Sequence, residues 1–207
     1  MKSSFFARVA ATASVTCLLL GAGAVSAQAS VPDSAAAAEA VFAEVVSAQD
    51  QAAALESLSP QDRKLFDLWT TPVLDEISTT FTPDAAEDAS PLGVGVAACG
   101  SWRQAGSFSN KVGAKLGDFW TTGQGCRSGS TVTSASYLDG GGRTSGIGWS
   151  YTGKTTGKGV VRNVGFVYGQ YSFKLNVGGV DVQHPSYCAR AIFTSNVSRG
   201  DLACGLG

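Results

Sequence analysis

Apolar positions along the 207-residue chain follow two different periods. Between Ser30 and Ala98 they recur as Val41, Val45, Ala48, Ala52 and Leu55, at steps of four and three. That spacing predicts one stripe along a helix of about 25 residues, with Pro32-Asp33 offering a cap. Ser59-Pro60-Gln61-Asp62 combines an N-cap serine, a proline at the first helical position and an acid in the first turn. It predicts a second helix carrying Leu65, Phe66, Leu68 and Trp69, and Thr71-Pro72 repeats the device ahead of Val73, Leu74 and Ile77. Residues 83–98 hold two prolines and three acids and read as an exposed linker.

From Cys99 the period changes to two. Thr131, Thr133 and Ala135 alternate with Val132, Ser134 and Ser136, and Trp149 with Tyr151, Phe166 with Tyr168, and Tyr171, Phe173 and Leu175 show the same step. Turn signals separate these runs at Asp139-Gly140-Gly141-Gly142, Lys154-Thr155-Thr156-Gly157 and Asn176-Val177-Gly178-Gly179. Of the 26 glycines, 22 fall in this part. The pattern predicts short strands in an antiparallel sandwich or barrel. The expected fold is therefore α+β in two parts: an acidic helical region over 30–82, a linker over 83–98 and an all-β domain over 99–207.

The first 29 residues follow another rule. Lys2 and Arg8 precede a weakly polar run from Val9 to Leu20, and Ala27-Gln28-Ala29 has the small-x-small form of a signal-peptidase site. Cleavage near Ala29 would export the chain, and no later segment has the 18 consecutive apolar residues of a membrane span. Cys17 would leave with the leader. Cys99, Cys126, Cys188 and Cys204 then remain, an even number in an oxidising compartment, which predicts two disulfides. Three connectivities are open to four cysteines, and sequential pairing, which closes short loops, is the expected one. With no Cys-x-x-Cys and a single histidine, the usual zinc sets cannot be completed, so no metal or other cofactor is expected.

Charge follows the same boundary. The formal net charge is −1, but residues 30–98 carry twelve acids against Arg63 and Lys64, while residues 99–207 carry four acids against eleven bases. The near-neutral total conceals an acidic arm and a basic domain of opposite sign. This predicts contact between arm and domain within the chain, with the arm as a possible removable prosegment, and a basic surface suited to an anionic partner.

The candidate chemistry is sparse. Gly148-Trp149-Ser150-Tyr151-Thr152-Gly153-Lys154-Thr155 matches the phosphate-loop string G-x-x-x-x-G-K-T, but such a loop must open a helix, and Thr156-Gly157-Lys158-Gly159 is a poor helix start. Nucleotide binding is not expected. His184, with Asp181 three residues before it and Ser186 two after, is the only histidine available for acid–base work. Neighbours this close on an extended chain seldom align as a triad. Trp149, Tyr151, Lys154, Lys158 and Arg162 form the candidate binding set, with Trp102 and Trp120 as further rings where they are exposed, since aromatic rings beside cations suit a glycan or an anionic polymer. Asn196-Val197-Ser198 is a glycosylation sequon that matters only in a eukaryotic source.

The segments Trp149-Ser150-Tyr151-Thr152-Gly153, Gly157-Lys158-Gly159, Arg162-Asn163-Val164-Gly165 and Pro185-x-x-Cys188 give residues 99–207 a resemblance to small secreted four-cysteine β-domain proteins of actinobacteria. That resemblance implies secretion and an all-β domain and assigns no functional residue. The expected function is a secreted, non-enzymatic protein whose basic domain binds an extracellular protein, an anionic cell-wall polymer or a glycan. Two alternatives are a secreted antibacterial toxin, or subunit of one, masked or docked by its acidic arm, and an extracellular hydrolase using His184.

Overall fold

The computed structural model describes residues 31–83 and 98–207. The leader and the interior of the linker lie outside the described residues, so the cleavage site, Cys17 and the character of residues 84–97 do too.

The chain opens with helices α1 (Val31–Ser47), α2 (Gln51–Glu56) and α3 (Pro60–Thr70). The single long helix expected from the apolar stripe is divided. Asp50 is extended, and its carboxylate accepts from Ala53 N at 2.9 Å, capping α2 as a separate helix. Pro32 falls inside the first turn of α1. Ser59 caps α3 as its sequence predicts, its hydroxyl accepting from Asp62 N at 3.1 Å with Pro60 at the first position.

The third helix does not form. Pro72–Pro83 is strand β1, paired antiparallel with the next strand. Proline is as acceptable at the first residue of a strand as at the start of a helix. The residues that follow, including Ile77, Thr79, Thr80, Phe81 and Thr82, are β-branched or aromatic and favour the pleated form.

Eight further strands follow: β2 (Ala98–Asn110), β3 (Lys115–Ser128), β4 (Thr131–Thr144), β5 (Trp149–Val161), β6 (Val164–Val177), β7 (Val180–Gln183), β8 (Ser186–Phe193) and β9 (Ser198–Asp201). One sheet has the order β1-β2-β3-β4 and the other β5-β6-β8-β9, with β7 beside β6, all pairs being antiparallel. The two sheets pack face to face. Their inner faces meet in rings such as Phe119 and Tyr171, whose centroids lie 6.1 Å apart.

Strands β2 to β6 are each 13 or 14 residues long, longer than the short strands expected. Two of the presumed turns account for the difference. Asp139–Gly142 lies inside β4 and Lys154–Gly157 inside β5, whereas Asn176–Gly179 does turn the chain between β6 and β7. The glycines of β4 are there because rings occupy the space a side chain would need. A Cβ on Gly142 would come within 2.6 Å of the Phe173 ring, and one on Gly140 would strike the Tyr171 hydroxyl.

Two disulfides staple the sandwich, Cys99–Cys126 and Cys188–Cys204, the sequential pairing. The first joins residues directly opposite one another on β2 and β3. Beside the second, Arg190 on β8 makes a two-pronged contact with Asp201, Nε to Oδ1 at 2.8 Å and Nη2 to Oδ2 at 2.7 Å, and also donates to Gly205 O at 3.1 Å. Burial works against the Asp201 charge, but these donors and the Ala203 N–H hold its carboxyl below the usual range.

The helices share one apolar cluster with the sandwich, in which Phe42, Val45, Leu55 and Phe66 join Phe108, Leu116 and Trp149. Gln51 adds a polar tie, its side-chain oxygen accepting from Gly178 N at 2.7 Å. Among the described residues, what joins this arm to the domain besides that tie is hydrophobic burial, and no ion pair runs between the helices and the sandwich.

A candidate binding surface on the outer face of the first sheet

Strand register lays out the outer face of the first sheet as rows. One row runs Ser78, Ala105, Trp120, Gly141, each residue directly opposite the next. On one side of it lies the row Thr80, Arg103, Thr122, Asp139, and on the other Ser107, Asp118, Arg143. Trp120 thus stands between two small residues. A Cβ on Gly141 would sit 3.3 Å from the indole, so the ring lies across the glycine.

The polar groups around the indole are held in place. Trp120 Nε1 donates to Asp139 Oδ2 at 2.9 Å, and the Arg103 guanidinium sits over the ring at 4.9 Å from its centroid. Across the row, Asp118 is gripped by Lys115 Nζ at 2.6 Å and by Arg143 Nε at 2.9 Å. The indole N–H is the main cause holding the Asp139 carboxyl below its ordinary value. For Asp118, burial opposes the charge and the Lys115 and Arg143 bonds prevail. The depression between these groups has a volume of about 460 Å³ and is lined by Arg103, Ala105, Ser107, Asp118, Trp120 and Arg143 among others. Its chemistry is that of a ring platform flanked by two guanidinium groups, one stacked and one exposed.

The four acids of the β domain are all engaged internally. Besides Asp118 and Asp139, Asp201 holds Arg190, and Asp181 takes Lys174 at 3.2 Å, His184 at 3.4 Å and Asn176 at 2.8 Å. Among the described residues, Arg103, Lys111, Arg127, Lys154, Lys158, Arg162 and Arg199 make no ion pair with a carboxylate. Of these, Lys154 donates to Tyr137 and Gly140 O and Arg127 donates to Ser195 O, while Lys158 and Arg162 are exposed.

Trp120 apart, the residues singled out from sequence lie elsewhere. Trp149 is buried against Phe108 at 5.6 Å, and half-buried Tyr151 packs on Phe173 at 5.5 Å, so both rings serve the core. Lys154 turns to the corner between the sheets, donating to Tyr137 Oη at 3.1 Å and Gly140 O at 2.6 Å. Lys158 and Arg162 are exposed on β5 and the turn after it, away from the Trp120 row. The Gly148–Thr155 string enters β5, which continues as strand to Val161. His184 is exposed beside Asp181, while Ser186 bonds Ser172 at 3.0 Å, so these three do not form a hydrogen-bonded chain. Among the described residues no group of three or more His, Cys, Asp or Glu could hold a metal ion.

Arg103 lies between Trp102 and Gln104, Trp120 between Phe119 and Thr121, and Arg143 between Gly142 and Thr144, so no common local pattern marks the three. Their convergence depends on which strand pairs with which, and periodicity does not carry that.

A second concavity, of about 360 Å³, opens at one end of the sandwich between Phe81, Trp102, Val132, Phe193 and Val197. No family model, curated protein or solved structure matches this chain. The two disulfides fit an oxidising compartment, and no described helix is long and apolar enough to cross a membrane.

Proposed function

We propose that the chain is a secreted, non-enzymatic binding protein of the small four-cysteine β-domain kind, and that its basic domain holds an anionic cell-surface polymer or acidic glycan across the outer face of the first sheet. The observation that carries this reading is Arg103 stacked on Trp120 with Arg143 across the same depression. Stacking orients the planar guanidinium of Arg103, which makes no ion pair with a carboxylate among the described residues. An oriented fork of this kind matches carboxylate or phosphate geometry. The ring and the small residues beside it offer flat area to a sugar or a polymer backbone.

The test is retention of the exported protein on an immobilised polyuronate under a rising salt gradient, with a neutral polysaccharide as control. Replacing Arg103 and Arg143 with alanine together lowers the eluting salt, because two charge-assisted contacts are lost and surface charge is screened over about 8–10 Å. Replacing Lys158 and Arg162 leaves the main retention in place. The reverse ranking would move the site to β5 and overturn the assignment.

A further inference from the structure

A two-sheet sandwich has four lateral edges, and this one protects three of them. β9 is only four residues long. β5 and β4 meet at a corner where Lys154 of β5 bonds Tyr137 and the Gly140 carbonyl of β4. Short edge strands and inward-turned lysines are the usual devices that stop an edge from pairing with another chain. β1 has neither. It is 12 residues long and contains no Lys or Arg, and among the described residues no strand pairs with its outer edge. Ile77 and Phe81 are 44% and 47% exposed on it.

The register on β2 sets which side chains share a face. Ile77, Thr79 and Phe81 stand opposite Gly106, Gln104 and Trp102, the inner face, while Ser78 and Thr80 stand on the outer face with Ala105 and Arg103. In an antiparallel pair, directly opposed residues lie on the same face. A two-fold axis at Thr79 would set Ile77 against the Phe81 of a second copy and the reverse, so each exposed apolar residue covers the other. Ser78 would oppose Thr80. Centring the axis one residue earlier would place Phe81 against Asp75, and one residue later Phe81 against Thr79 and Ile77 against Pro83; neither sets the two exposed apolar residues against each other.

Charge permits the same arrangement. Asp75 and Glu76 lie towards one end of β1, and residues 77–82 are uncharged. In the centred pair the two copies of Glu76 stand six strand positions apart and those of Asp75 eight, about 20 Å and 26 Å at ~3.3 Å per residue, beyond the screening length.

We propose that β1 is a self-association edge, to which a second copy of this chain adds its own β1 antiparallel and centred on Thr79, joining two four-stranded sheets into one of eight. The contact is isologous, as closed two-fold dimers require.

Light scattering on the exported full chain is the direct measurement. The expected mass is twice that of the monomer, falling to the monomer on dilution. Ile77→Lys, a change at an exposed position, gives the monomer mass at the same concentration with an unchanged circular dichroism spectrum. Should that variant fail to fold, Thr79→Cys reports independently: mild oxidation yields a covalent dimer whose peptide mass shows a 79–79 link, while Thr82→Cys yields none. A wild-type chain that stays monomeric at every concentration overturns the proposal. So does a dimer that survives Ile77→Lys intact and is not trapped through position 79.

Discussion

The hydroxyl of Tyr171 on β6 meets the hydroxyl of Thr121 on β3 at 2.6 Å, a bond between the two sheets in which both residues are fully buried. Phenylalanine at 171 leaves the Thr121 hydroxyl buried without its partner. The expected loss is about 1–3 kcal/mol in urea unfolding. Adding Thr121→Val recovers part of it, because removing both partners is milder than orphaning one. An additive double mutant would show that the bond has no energetic weight.

Alkaline pH should weaken the fold through the same region. Burial is the chief cause raising the phenol of Tyr171 above its ordinary value, and burial followed by the Asp75 charge pushes Tyr187 up to about 12. A folded-state value above the unfolded 10.0 means that the folded chain keeps protons the unfolded chain releases. The contribution of Tyr187 is therefore intact below pH 10.0 and is lost as pH rises towards about 12. Denaturant midpoints followed across that window should fall, and less steeply in Tyr187→Phe.

The β5–β6 hairpin offers a gain. Arg162 and Asn163 both have positive φ, 50° and 63°, as a two-residue type I′ turn requires. Asn163 also braces the neighbouring β3–β4 turn, accepting from Val132 N at 2.7 Å and donating to Ser130 O at 3.0 Å. Arg162→Asn should stabilise by roughly 0.5–1 kcal/mol, since asparagine tolerates this conformation better. Asn163→Gly suits the turn equally well but loses both braces. It should destabilise on balance, as thermal unfolding of the two variants would show.

Truncating Phe66 to alanine tests how the helices are joined to the sandwich. The side chain is 1% exposed and belongs to the cluster shared with Phe108 and Trp149. A cost of about 3–5 kcal/mol is expected. Because the cluster is shared, helical circular dichroism and tryptophan fluorescence should be lost in one coincident transition. A helical signal that melts well before fluorescence would mean that the arm folds apart from the domain.

Much of the architecture is legible in the residues themselves. Period-two alternation marks β6, whose side chains alternate between the inner face and the outer without interruption, and the cap at Ser59 marks the start of α3. Sequential cysteine pairing follows from loop length. Two kinds of signal misled. Thr71-Pro72 is compatible with a helix start or a strand start, and tertiary pairing with β2 decides between them. Runs of glycine suggest turns, but those at 140–142 and 157 lie in strands because aromatic side chains fill the space beside them, from the facing sheet at 140 and 142 and from the neighbouring strand at 141 and 157, facts that belong to tertiary pairing. The Trp120 row is hidden for the same kind of reason, since it is assembled by register across four strands.

The glycines on the inner face carry one more consequence. A Cβ on Gly123 would come within 2.7 Å of Val167, and one on Gly125 would run into the Phe193 ring. Volume is therefore held jointly by residues of opposite sheets. A methyl group added at 123 or 125 is tolerated only if the facing side chain shrinks, so substitutions should pass through this interior in pairs that exchange bulk across the layer. At these inner-face positions glycine reflects low tolerance to single changes in the core, not looseness of the backbone.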